Sequence, residues 1–145
     1  MMEEIILKVP EGKALVHDAK CPNGCLLMNP MVLMSGKPAI TCENRMRGKA
    51  GLIHFNPYYG NYEYESELPL KKGDVVNLMC PHCGASLTVE EVCKFCNISM
   101  FAVHLAGGGE VRACPKVGCH NHKLILVDLD AQFAQYYNEE TKPRM

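Results

Sequence analysis

Four cysteine pairs restrict what this chain can fold into more than any other feature. They are Cys21-Pro22-Asn23-Gly24-Cys25, Cys80-Pro81-His82-Cys83, Cys93-Lys94-Phe95-Cys96 and Cys114-Pro115-Lys116-Val117-Gly118-Cys119, which together take eight of the nine cysteines. Closely spaced cysteines in a tight turn aim two thiolates at one point, and the free N–H groups of the turn hydrogen-bond the sulfurs and spread their charge. Four such turns supply the ligands for two tetrahedral, all-cysteine zinc sites. The candidate ligands are Cys21, Cys25, Cys80, Cys83, Cys93, Cys96, Cys114 and Cys119. Gly84 and Gly118 sit where the backbone must bend sharply or take φ > 0.

A chain of 145 residues is one ordinary domain or two small ones sharing an interface. Hydrophobic content of 48% permits a core, yet there is no Trp and only 7% of residues are aromatic. With nine Pro and twelve Gly as well, such a chain is expected to need metal to supplement its core. Net charge is −1, so the total gives no support to phosphate binding. Lys37, Arg45, Arg47 and Lys49 make a basic segment, followed by Glu63, Glu65 and Glu67; alternation of this kind is ordinarily a solvated surface. Met1 to Lys13 contains only Ile5-Ile6-Leu7 as an apolar run, which is neither a signal peptide nor a membrane span. The expected compartment is therefore reducing, hence cytoplasmic, where paired cysteines hold metal or do redox chemistry rather than form disulfides.

Along the chain the pattern is β-like. Glu3 to Val9 is expected as a strand closed by Pro10-Glu11-Gly12. Leu26 to Met34 is methionine-rich, and such clusters usually fill an irregular core. Ala39 to Cys42, Ala50 to Phe55, Asn61 to Leu68 and Val75 to Met79 are candidate strands of a small antiparallel sheet. Asn97 to Leu105 and Glu110 to Ala113 flank a glycine-rich hairpin tip, and Lys123 to Leu129 reads as a further strand. Asp130 is placed to cap a short C-terminal helix through Tyr137. The expected fold is mainly β: a small antiparallel sheet, zinc-stapled hairpins and that helix. It divides into a lead-in over 1–20, a sheet bracketed by knuckles over 21–92, a metal-bound hairpin unit over 93–129 and a helix with tail over 130–145.

Two pairings of the ligands satisfy the spacing. In one, Cys93 and Cys96 join Cys114 and Cys119, while Cys21 and Cys25 join Cys80 and Cys83. In the other, the nine residues between Cys83 and Cys93 close a compact site, leaving Cys21, Cys25, Cys114 and Cys119 to join the chain ends. Residues 80–123 resemble the zinc ribbon, most of all the small four-cysteine ribbons at the C-termini of type IA topoisomerases. The likeness rests on Cys93-x2-Cys96, a hairpin of seventeen residues and Cys114-x4-Cys119, with Cys80-Pro81-His82-Cys83-Gly84 as a second knuckle. It implies the first pairing. In the topoisomerase ribbons the hairpin contacts single-stranded DNA through basic and aromatic residues; here it carries Phe101, His104 and Arg112 together with Glu110.

Single residues are weighed on the same terms. Cys42, the odd cysteine, is expected to be a small buried hydrophobe rather than a nucleophile. His120 and His122 follow Cys119 and are alternative ligands, whereas His82 is expected to face solvent. Tyr58, Tyr59, Tyr62 and Tyr64 fit a hairpin with one half-buried face better than a base-stacking surface. Four thiolates per ion leave no open coordination position, and no general-base constellation or phosphate-cradling loop is present in the sequence, so no enzymatic activity is expected. The expected role is that of an accessory or adaptor subunit docking on a protein partner within a larger enzyme complex, without a membrane. A nucleic-acid-binding module using Lys37, Arg45, Arg47, Lys49, Arg112, Lys116 and Lys123 is the alternative. A second alternative is a rubredoxin-like electron carrier with iron in place of zinc.

Overall fold

The computed structural model describes residues 15–105 and 108–125, together with the backbone of 5–7 and 126. Among these residues there are ten strands: β1 (Ile5–Leu7), β2 (Met28–Met34), β3 (Lys37–Met46), β4 (Lys49–Phe55), β5 (Tyr64–Ser66), β6 (Leu78–Met79), β7 (Thr88–Val92), β8 (Ser99–His104), β9 (Glu110–Ala113) and β10 (His122–Leu126). They form two antiparallel sheets. The mainly β expectation holds at that level, while the helix expected from Asp130 lies outside the described residues.

β3 organises the first sheet. Its interior, Ala39-Ile40-Thr41-Cys42, is buried on consecutive positions, as befits a central strand covered on both faces. β4 runs along one edge from Ile40↔Phe55 to Met46↔Lys49. The other edge is shared: β2 pairs with its first half and β6 with Glu43 and Asn44. β5 closes the far side of β4. Asn44 is fully buried and hydrogen-bonded at both ends of its amide, its Oδ1 accepting from the Asn77 N–H at 3.0 Å and its Nδ2 donating to Met46 Sδ at 3.2 Å. That bond, with Arg45 N donating to Asn77 O, fixes the segment leading through β6 into Cys80.

The second sheet has the order β1-β10-β9-β8-β7. β8, β9 and β10 form a continuous meander in register, with Phe101↔Ala113 and His122↔Ala113 at the end nearest the last cysteines. Glu91 ties β7 across this sheet. It accepts from Arg112 at 2.7 Å and pairs with Lys123, and Arg112 also reaches Glu110 at 3.0 Å.

One main core draws on both sheets: Leu27, Ile40, Cys42 and Ile53 meet Leu87, Val103, Leu105 and Leu124. Backbone bonds tie the segment before Cys21 to β8, with Lys20 and His104 exchanging N–H···O bonds at 2.8 Å in both directions. Leu87 donates to Leu78 and accepts from Ala102, so it spans the gap between the layers. Phe55 and Phe101 stack across it with centroids 5.9 Å apart. No helix among the described residues is long and apolar enough to cross a membrane.

The methionine-rich stretch meets the expectation of core filling only in part. Leu27 is buried in the main core and Met28 packs on it, but the rest of the stretch is an edge strand, broken by an irregularity between Asn29 and Leu33 that brackets Pro30. Pro cannot donate to a ladder and is tolerated at such edges and bulges. Met34 is buried, but Met31 is 89% and Leu33 59% exposed.

Candidate metal centres

Each pair of cysteines is presented by a turn whose hydrogen bonds can be followed from the sequence. At Cys80, its N–H donates to Ala85 O and its carbonyl accepts from Gly84 N at 2.9 Å. Cys93 repeats this with Ile98 and Asn97. The residue after the second cysteine is left-handed in both, Gly84 at φ 79° and Asn97 at φ 57°. Glycine carries no penalty there, and Asn is among the few others that tolerate it. With no glycine after Cys96, the sequence carries no local sign of that bend. Cys21 and Cys25 close a one-residue-longer turn through Gly24 N to Cys21 O, and Cys119 N donates to Lys116 O in the longest turn. Gly118 takes φ 96° as its position required, and a Cβ there would meet Lys72 at 3.0 Å.

The four turns bring all eight candidate residues together in two groups. Cys21, Cys25, Cys80 and Cys83 form one and Cys93, Cys96, Cys114 and Cys119 the other, with the sulfurs of each group within 4.8 Å of one another. This is the first of the two pairings. Cys21 Sγ and Cys83 Sγ are 3.7 Å apart, and Cys93 Sγ and Cys119 Sγ 3.9 Å. Zinc–sulfur bonds of about 2.3 Å in a tetrahedron place sulfurs about 3.8 Å apart. A disulfide would need about 2.05 Å, and all nine cysteines are free. The donor set and its spacing thus fit a four-coordinate thiophilic metal.

The surroundings prepare the sulfurs for such an ion. Cys21 Sγ accepts from the N–H groups of Asn23 and Cys25 at 3.3 Å, and Cys80 Sγ from that of His82 at 3.3 Å. The Asn121 amide donates to Cys93 Sγ at 3.3 Å. The Ala85 N–H, helped by the Asn23 amide, holds the Cys83 thiol down to about 6. Burial opposes ionisation of Cys93, but Asn121 and the N–H groups of Phe95 and Cys96 outweigh it and bring that thiol to about 6 as well. Hydrogen bonds from Cys21 and Cys83 push Cys25 up to about 12, and burial does the same to Cys114. In each group, therefore, hydrogen bonds favour ionisation of one thiol, while sulfur–sulfur hydrogen bonds or burial hold another protonated. A divalent cation would need all four as thiolates, so metal binding and proton release are coupled.

The two centres differ in their setting. Cys21 and Cys80 belong to the main core, whereas Cys93, Met100 and Cys114 form a small satellite cluster. His120 and His122 are not among the grouped ligands: the ring of His120 stacks on Tyr62 at 3.8 Å, and His122 meets Tyr59 edge-on at 4.9 Å. His82 is exposed, as expected. Tyr59 is buried and only Tyr64 lies in a strand, so the tyrosines line a loop more than a hairpin. Cys42 is fully buried opposite Ile53, and burial, with a lesser push from Cys80, raises its thiol to about 12. Cys42→Ser should cost about 1–3 kcal/mol by placing a hydroxyl among apolar groups. Urea unfolding would measure that loss, and the metal content of the variant should equal that of the parent. No protein-family model, curated protein or solved structure matches this chain.

Proposed function

We propose that this chain is a non-catalytic zinc protein that serves as an accessory or adaptor subunit, with its second centre set in a zinc ribbon. The observation that carries the reading is the closed sulfur set of both groups, four thiols each with spacing for a tetrahedral ion. Such a site holds structure together and leaves no vertex for water or substrate. The docking surface is the β2 edge of the first sheet, unpaired among the described residues. β2 presents Met31 and Leu33 outward, and exposed Met is suited to pliant protein contacts.

Support for the nucleic-acid alternative is weaker. Of the seven cations it would use, Arg45, Arg47, Arg112 and Lys123 are each paired with a carboxylate. The iron alternative uses the same sulfurs and is separated by colour, since ferric iron held by four thiolates is red and zinc is colourless.

The adaptor reading is tested with the double variant Met31→Asp, Leu33→Asp. Both positions are solvent-facing, so stability should change by no more than about 0.5 kcal/mol per site and metal content should not change. A protein that co-purifies stoichiometrically from the native cell should be lost. Its retention by the variant, at unchanged stoichiometry, would contradict this surface and the role assigned to it.

A further inference from the structure

Between the sheets lies a cavity of about 200 Å³ for which the metal centres give no explanation. Its floor is apolar: Val16, Ile53, Phe55, Val76, Val103 and Val111. Its walls are two unbroken runs of chain, residues 55–62 after β4 and residues 113–122 between β9 and β10. Both runs are held in place. The buried Asn56 side chain donates to Ser35 Oγ at 2.9 Å and Glu63 Oε1 at 3.1 Å, and accepts from Tyr58 N at 2.9 Å. The second run carries Cys114 and Cys119, and Val117 N donates to Asp74 O while Pro115 O accepts from Val76 N. The same turn that offers two sulfurs to the second centre therefore shapes the cavity wall.

The mouth is aromatic. Tyr62 lies flat on His120, with 8° between the planes, and His122 meets Tyr62 edge-on at 5.2 Å. His122 Nδ1 is 2.6 Å from His120 O. A carbonyl only accepts, so Nδ1 carries the proton, and Nε2 is an acceptor when the ring holds that one proton. A preformed apolar cavity with aromatic walls and a few polar groups at its rim is the usual form of a small-molecule site.

We propose that this cavity binds a neutral small molecule of one or two aromatic rings bearing an N–H or O–H donor. An apolar cavity of about 150 Å³ already admits benzene, so this one has room for a somewhat larger molecule such as an indole. The ring packs on the valines and Phe55, and its donor meets the acceptor of His122 at the mouth.

Indole is the probe, titrated into the full-length, metal-loaded protein and followed by amide NMR shifts, with metal content measured on the same sample. Saturable shifts are expected in residues 55–62 and 113–122, with a dissociation constant in the micromolar to low-millimolar range. Val111→Phe, which fills the floor, should weaken binding by about tenfold or more with metal content intact. Val117→Phe gives the same test from the wall should the first variant not fold. Protein with two metals bound that shows no saturable shift, or a filled variant that binds indole as well as the parent, overturns the inference without touching the metal reading. Tighter binding of the tripeptide Gly-Trp-Gly than of indole assigns the cavity to a partner's side chain and overturns it too.

Discussion

Cys80→Ser should remove one metal equivalent and abolish the cooperative thermal transition of the whole protein. Cys80 is buried beside Cys21, Leu27, Leu78 and Leu87 in the core that joins the two sheets. Its sulfur is one of four held around a single point, and its turn positions Ala85 and the crossing to Leu87. A structural zinc site contributes on the order of 10 kcal/mol of apparent binding, whereas a whole domain is stable by about 5–15 kcal/mol. Losing the first term leaves little or nothing of the second. The three remaining thiols would also be left clustered without a full charge partner. Circular dichroism and calorimetry should show a flat melt for this variant, and Cys80→Ala should behave alike because the lost group is the sulfur.

Cys119→Ser should also remove one metal equivalent, with a different structural result. Its centre sits in the satellite cluster of Cys93, Met100 and Cys114, away from the contacts between Ile53, Leu78 and Leu87. Unfolding there is expected to be local, since stability is not uniform and small clusters open before large ones. Hydrogen exchange should lose protection over 93–98 and 113–122 while β3 and β4 remain protected. The cavity wall would loosen in the same variant, because residues 113–122 form it. Loss of protection across both sheets would mean that the second centre, not the first, is the mainstay of the core.

The cysteine turns were legible in the sequence because a knuckle is a local device. Spacing of the cysteines, and a residue able to take φ > 0 beside them, specify each turn without reference to the rest of the chain, as Gly84 and Gly118 bear out. Which knuckle joins which is a tertiary matter, and the spacing alone left two arrangements open. Strands such as the buried Ala39 to Cys42 and the half-buried Glu110 to Ala113 were readable from pattern. Of the edge strands, β1 and β5 fall within the expected Glu3 to Val9 and Asn61 to Leu68, but β7 and β2 were not readable. β7 reads Thr-Val-Glu-Glu-Val, with Val92 half exposed, and offers no apolar alternation. β2 is interrupted at Pro30 and exposes what its hydrophobicity would have hidden. The cavity was invisible for another reason: it is made by two loops that come together only when the sheets pack.

The central claim is that thiolate sulfurs close two metal spheres and so hold the fold. X-ray absorption on protein purified without added metal, combined with its elemental content, addresses that claim most directly. Two zinc ions per chain are predicted, each with a shell of four sulfurs at about 2.3 Å and no lighter ligand. A shell containing oxygen or nitrogen, fewer than two ions in folded protein, or sulfurs joined to one another would contradict it.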